Sequence, residues 1–186
     1  MSARLATVDD LFAALAAAAD ADDEGGLSIL DHSLQCAARL RAERPDDVEL
    51  QVAGLVHDLG WLDADDPAWS LRADAAHDRD GRALVEGLLG PRVGALVGGH
   101  VAAKRYLLAV DPPYHDLLSA RSETTLGFQG GVMSAAECRV FEARPDCDDL
   151  VTLRRADDAA KARGAVVDPL DSWRAPVSHL ASSVNR

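Results

Sequence analysis

Apolar and polar residues alternate along this chain with the period of helices, not strands. The first helix is predicted from about Val8 to Ala19: Thr7 stands where an N-cap belongs, and Asp10 three residues later completes a capping-box-like pair. After the break at Gly25 and Gly26, Leu27, Leu30, Leu34 and Leu40 fall at roughly helical spacing, with His32 among them. "ERPDD" resets the direction, because Pro45 disfavours helix before it and Asp46 can cap the next one. A third helix is predicted from Val48 to about Leu59, ending at Gly60 as a C′ residue. "LDADDPAWS" reads as a loop. Two more helices are predicted near Ala75 to Leu89 and from Pro91 to about Val110, with Pro91 in a first turn that tolerates its missing N–H.

From Asp111 to Ser134 the periodicity is weak, and paired prolines and glycines mark a segment running irregularly over a surface or around a site. Helix resumes in "SAAECRVFEAR" and "DDLVTLRRADDAAKAR". It returns less clearly in "LDSWRAPVSHLASS", where Pro176 is expected to break or kink it. The pattern is that of an all-α bundle with one long irregular loop. A length of 186 residues fits one domain over residues 1–186, with a core from about 27 to 161 and a C-terminal helix from about 170 to 182.

Composition narrows the function. Abundant alanine and leucine with few aromatic residues favours helix over sheet. The formal charge of −12 argues against a general nucleic-acid or anionic-membrane binder, while leaving room for a small anion held by local cations. Cys36, Cys138 and Cys147 are odd in number and lack a Cys-x-x-Cys spacing, so they read as packing thiols in a reducing cytoplasm. The Ala-rich N-terminus is interrupted by acids before it reaches the length of a membrane span, and it lacks the basic start of an export signal. A cytoplasmic protein is expected.

The chemistry concentrates in "GLVHDLGW", residues 54–61, where His57 and Asp58 lie side by side in an apolar run. Burying both is costly unless something satisfies them together. Of six histidines, four form an ordered series on different predicted helices: His32, His57, His77 and His100. Helices packed side by side can aim such residues into one interior pocket, the way bundles build imidazole and carboxylate metal sites. A late acid in "LRRADDAAK" could close the set, but Asp157 and Asp158 are adjacent and periodicity alone does not choose between them. Hydrogen-bonded core histidines are the plainer alternative. His115 and His179 suit surface or packing roles.

The order His…His-Asp…Asp resembles the HD-domain superfamily of metal-dependent phosphohydrolases, an all-α fold. Three further strings, "HVAAKRYLLAVDPPYH" (100–115), "LGFQGGVMSAAE" (126–137) and "LRRADDAAK" (153–161), resemble its diiron oxygenase branch, of the 2-amino-1-hydroxyethylphosphonate dioxygenase type. That resemblance spans roughly His32 to Lys161. It implies that His32, His57, Asp58 and Asp157 hold one iron and that His77, His100 and a bridging Asp58 hold the other, as a mixed-valent Fe(II)/Fe(III) pair with O2 as co-substrate. It chooses Asp157 over its neighbour. It further implies a small organophosphonate substrate bound by Lys104, Ser122 and Arg154, with Asp58, Lys104 and Arg154 central to catalysis.

Spacing is compatible with this. Lys104 lies one turn after His100, and Arg154 lies three residues before Asp157 and four before Asp158. Arg suits a paired hydrogen bond to a phosphonate and Lys a compact charge. Solvated faces, or pairing of Arg154 and Arg155 with Asp149 or Asp158, are the plainer readings; Arg105 and Arg155 are expected to point outward. Gly130 and Gly131 would let backbone approach the ligand. Gln35, one turn after His32, either hydrogen-bonds a ligand or metal-bound group or satisfies core polarity.

Two stretches depart from the family pattern. "DDEGGLSILDH" stands where a Tyr-Gly-Gly-Glu stretch recognises the substrate amine, and Trp61 stands where a histidine commonly follows the His-Asp motif. The reaction implied is O2-dependent cleavage of the carbon–phosphorus bond of a 1-hydroxyphosphonate, giving phosphate and a carboxylic acid. An HD-type phosphohydrolase acting on a phosphomonoester or nucleotide is the alternative, and a non-catalytic metal-binding sensor a third.

Overall fold

A computed structural model describes residues 5–20, 22–24, 26–62 and 76–184. Among them are ten α-helices: α1 Val8–Ala17, α2 Ile29–Glu43, α3 Val48–Val56, α4 His77–Leu89, α5 Pro91–Val97, α6 His100–Val110, α7 Ala120–Leu126, α8 Ala135–Glu142, α9 Cys147–Ala159 and α10 Arg174–Val184. Three 3-10 turns, Leu59–Leu62, Pro112–Leu117 and Leu170–Trp173, link them. Apart from a two-stranded antiparallel ribbon, β1 Asp22–Glu24 and β2 Leu27–Ser28, the fold is all-α. The loop expected at residues 62–70 falls, from residue 63 on, outside the described residues.

Five of the helices, α1, α2, α3, α7 and α8, begin at a polar side-chain cap. Thr7 and Asp10 form the expected capping box, as do Ser134 and Glu137 at α8. At α3 the cap is Asp47, not Asp46: its carboxylate accepts the Leu50 N–H at 3.1 Å. Asp47 also accepts both Arg92 amino groups at 2.6 Å, and Arg92 reaches Asp149 of α9 at 2.9 Å. One guanidinium thus ties α3, α5 and α9 together, and it engages Asp149, the acid that the sequence also offered to Arg154 and Arg155.

The main core is built where α2 packs on α3, α3 on α5, and α9 on both α2 and α6. Leu11, Leu15, Leu40, Leu50, Leu55, Leu96, Leu150 and Trp173 are fully buried there. All three cysteines are free; burial pushes the Cys36 thiol up to about 12, which leaves it inert.

Other sequence expectations change as well. Leu27 lies in β2, so the second helix starts two residues later, after Ser28 accepts the Asp31 N–H at 3.0 Å. The helix expected from Pro91 to Val110 is two helices, interrupted at Gly98 and Gly99, where a side chain on Gly99 would meet Leu150 at 2.5 Å. The stretch 111–134 is not wholly irregular, since it contains a 3-10 turn and α7, both too short to show periodicity. Pro176 does not break the last helix: it sits in the first turn of α10, where its missing N–H has no intrahelical acceptor to lose.

Gly60 is the position on which the site turns. It does not terminate α3, which ends at Val56, but lies inside the 3-10 turn beyond it. A β-carbon here would sit 2.0 Å from the His77 carbonyl oxygen and 2.8 Å from the Gly81 nitrogen. Only glycine lets this turn rest against the start of α4. Gly60→Ala should therefore destabilise the fold by about 1–3 kcal/mol, through overpacking against backbone. Gly87→Ala, in the last turn of α4 with nothing within 4 Å of the added carbon, should be neutral or stabilising by up to about 1 kcal/mol. Thermal denaturation of the two variants checks the contrast.

Candidate metal centre

Five segments deliver six side chains to one buried place. His32 comes from the first turn of α2, His57 follows α3 as its C-cap, and Asp58 comes next. His77 and His100 open α4 and α6, and Asp157 lies in the last turn of α9. All six are under 10% exposed. Their ligand atoms fall into two groups, each within 4.8 Å: His32, His57 and Asp157, and Asp58, His77 and His100.

Asp58 joins the two groups with different oxygens. Its Oδ2 lies 3.3 Å from His57 Nε2 and 3.6 Å from His32 Nε2, whereas Oδ1 lies 3.8 Å from the Nε2 atoms of both His77 and His100. Asp157 turns Oδ1 toward His32 Nε2 at 3.2 Å and gives Oδ2 to Arg154 at 2.7 Å.

The donor chemistry fits a pair of cations. His32, His57 and His100 each donate Nδ1–H to a backbone carbonyl, of Ala160 at 3.0 Å, Gly54 at 2.9 Å and Val97 at 2.7 Å. A carbonyl only accepts, so in the neutral rings Nε2 carries the lone pair. His32 Nε2 and His57 Nε2 nevertheless face each other at 3.2 Å, and His77 Nε2 and His100 Nε2 at 3.0 Å. Between His32 and His57 these are two lone pairs, which at that separation in a buried site repel unless a positive charge stands between them; His77, with no carbonyl on Nδ1 among the described residues, can turn an Nε2–H to the His100 lone pair instead.

Electrostatics point the same way. Burial opposes charge on His32 and His57, but Asp157 and Asp58 outweigh it and push both rings up. Burial equally opposes ionisation of Asp58 and Asp157, yet His57 beside Asp58, and Arg154 and His32 beside Asp157, hold both well below the usual carboxylate range. Burial, with His77 and His57 nearby, takes His100 down to about 3 and keeps it neutral. A site that draws protons onto two rings while keeping two carboxylates charged has the donor set that can take a divalent ion in their place.

Against five of the six, all but His57, lies an open cleft of about 50 Å3, lined also by Trp61, Lys104, Arg121, Ser122, Thr125 and Arg154. Lys104 is 2% exposed; its ammonium donates to the Ser122 carbonyl at 3.3 Å and to Thr125 Oγ1 at 3.0 Å. Burial, then the nearby Arg154 charge, bring it down to about 7. Arg154 pairs with Asp157 and with Asp158, donates to Tyr114 Oη at 2.9 Å, and reaches Ser122 Oγ at 3.4 Å. The buried Tyr114 hydroxyl donates in turn to Asp158.

Other sequence candidates lie elsewhere. Gln35 spends its amide on the chain after α9, donating to Ala162 O and accepting from Ala162 N, both at 3.0 Å, so it does not line the cleft. Gly130 and Gly131 adopt positive φ, +94° and +70°, and offer their carbonyls to Arg105 instead of approaching a ligand. Arg105 also pairs with Glu137, and Arg155 with Asp111, on the surface. His115 and His179 are exposed. Arg121, Thr125 and Tyr114 carry no signal in the sequence: none has a helical spacing to the four clustered histidines that marks it.

A helical bundle that buries two His/Asp triads joined by one aspartate is the hallmark of a dinuclear metalloprotein. Comparison with known proteins narrows that class. The chain is 35% identical over 151 residues to hydroxymethylphosphonate dioxygenase of Gimesia maris, covering 80% of this chain and 75% of that protein. It is 32% identical over 162 residues to [1-hydroxy-2-(trimethylamino)ethyl]phosphonate dioxygenase (glycine-betaine-forming) of Leisingera caerulea, covering 86% and 79%. A third relative, uncharacterized protein L432 of Acanthamoeba polyphaga mimivirus, is 31% identical over 161 residues, covering 84% and 73%. No family model matches the chain. The chain belongs to the HD-domain phosphonate dioxygenases.

Because protons and metal compete for the same lone pairs, Zn(II) binding should release protons and should weaken as pH falls. Calorimetric titration in buffers of different ionisation heat measures both. Asp58→Ala removes the shared carboxylate and should leave fewer than two ions per folded chain, read by elemental analysis.

Proposed function

We propose that this chain uses O2 to cleave the carbon–phosphorus bond of a small 1-hydroxyphosphonate, giving phosphate and the corresponding carboxylic acid. The overall balance closes: R–CH(OH)–PO3H2 and O2 supply every atom of R–COOH and H3PO4. The observation that carries the reading is a cleft with five of the six triad residues and a buried ammonium on its walls.

His32, His57, Asp58 and Asp157 would hold one iron, and His77, His100 and Asp58 the other, as an Fe(II)/Fe(III) pair. When bound, that pair supplies the redox chemistry with O2 that no side chain here can provide. The chain supplies placement and charge. Lys104 makes no ion pair among the described residues; it donates to neutral oxygens, so its charge is available to a phosphonate oxygen. Ser122 Oγ borders the same cleft and can donate to another oxygen. Arg154 has a double task. Two carboxylates already share its charge, and its hold on Asp157 Oδ2 leaves Oδ1 toward the first triad, so it orients a metal ligand as well as flanking the substrate.

The first test is phosphorus NMR of iron-loaded protein in air with hydroxymethylphosphonate. Free phosphate should appear with matching O2 uptake and formate; phosphate release from phosphomonoesters without O2 would establish the hydrolase instead. Lys104→Ala should raise KM about ten- to hundredfold with metal content intact, as expected for losing a charge-assisted hydrogen bond of about 1.5–3 kcal/mol. Arg154→Ala should lower metal content too. In the wild type kcat/KM should fall as pH rises through about 7, where Lys104 loses its proton, and this limb should be absent from Lys104→Ala.

A further inference from the structure

The four imidazoles are not held alike. His32, His57 and His100 each anchor Nδ1 to a backbone carbonyl, which fixes the ring and aims Nε2. His77 does not: among the described residues its buried Nδ1 has no hydrogen-bond partner. The indole of Trp61 lies against it instead, stacked at 4.4 Å between ring centroids and 20° between planes. The Arg121 guanidinium lies over the same indole, 4.6 Å from its centroid, and Trp61 also packs with Ala18 and Ile29. The indole is itself fixed, and Gly60 beside it permits the close approach.

The other end of the same side chain acts on the bridging carboxylate. Trp61 Nε1–H donates to Asp58 Oδ1 at 3.2 Å, the oxygen facing His77 and His100, not the one facing His32 and His57. One residue therefore touches two of the three ligands of the second triad.

We infer that Trp61 is a positioning residue for the second metal position, orienting the His77 ring by stacking and the Asp58 carboxylate by its N–H, in place of the carbonyl anchor that the other three histidines have. Groups that orient metal ligands are typically worth about ten- to hundredfold in metal affinity, and here the effect falls on one ion of the pair. Trp61→Leu removes both contacts, whereas Trp61→Phe keeps a ring over His77 and removes only the donor.

The test is calorimetric titration of the chelator-treated full chain with Zn(II), the second position being identified as the binding step abolished by His77→Ala. Trp61→Leu should weaken that step about ten- to hundredfold and leave the other within about twofold; Trp61→Phe should weaken it by a smaller, several-fold factor. Circular dichroism melts show which variants fold, and if Trp61→Leu does not, Trp61→Phe decides. Unchanged affinity at the His77 step in Trp61→Phe, or equal weakening of both steps in a folded variant, overturns the assignment. Neither readout depends on the substrate, so the inference stands or falls apart from the proposed reaction.

Discussion

Imidazole lone pairs meeting head-on inside a hydrophobic bundle is the constraint around which this molecule is arranged. Three rings are pinned by carbonyls, so none of those three can turn its Nε2 away to relieve the repulsion. The carbonyls belong to the last turn of α3, the end of α5 and the end of α9, which means helix termini set the ligand positions. The bundle core serves to hold those termini in register.

Around that centre the charges are nested. Asp157 is gripped by Arg154, Arg154 by Asp158, and Asp158 by Tyr114, each group satisfying the one inside it. Buried charge is tolerable only when paired and hydrogen-bonded in this way. The chain of contacts also explains how adjacent acids take different work: Asp158 is consumed by Arg154 and Tyr114, leaving Asp157 to face the histidines.

Much of this was legible in the sequence, and for physical reasons. Long helices with an apolar stripe, the capping box at Thr7 and the His-Asp pair in an apolar run are local signals. The gathering of His32, His57, His77 and His100 followed from bundle geometry once each was on its own helix. Asp157 and Asp158 could be separated only by resemblance, since neighbouring side chains on a half-buried helix both lie near the boundary. The helices of residues 112–126 are shorter than two periods and left no pattern. Gly60 looked like a helix stop because close backbone approach and helix termination favour the same residue. Trp61 stood out only as a departure, because its use depends on contact with a ring sixteen residues away.

The ligand set reaches from residue 32 to residue 157 in a chain whose cysteines are all free. Filling it would cross-link a loop of more than a hundred residues, a span at which a covalent bridge removes about 4–5 kcal/mol of denatured-state entropy. The pair of ions would then act as a clasp on the whole bundle. Escape of metal would then loosen the bundle by about that amount, and the resistance of the folded molecule to opening would rise with how tightly its cargo is gripped.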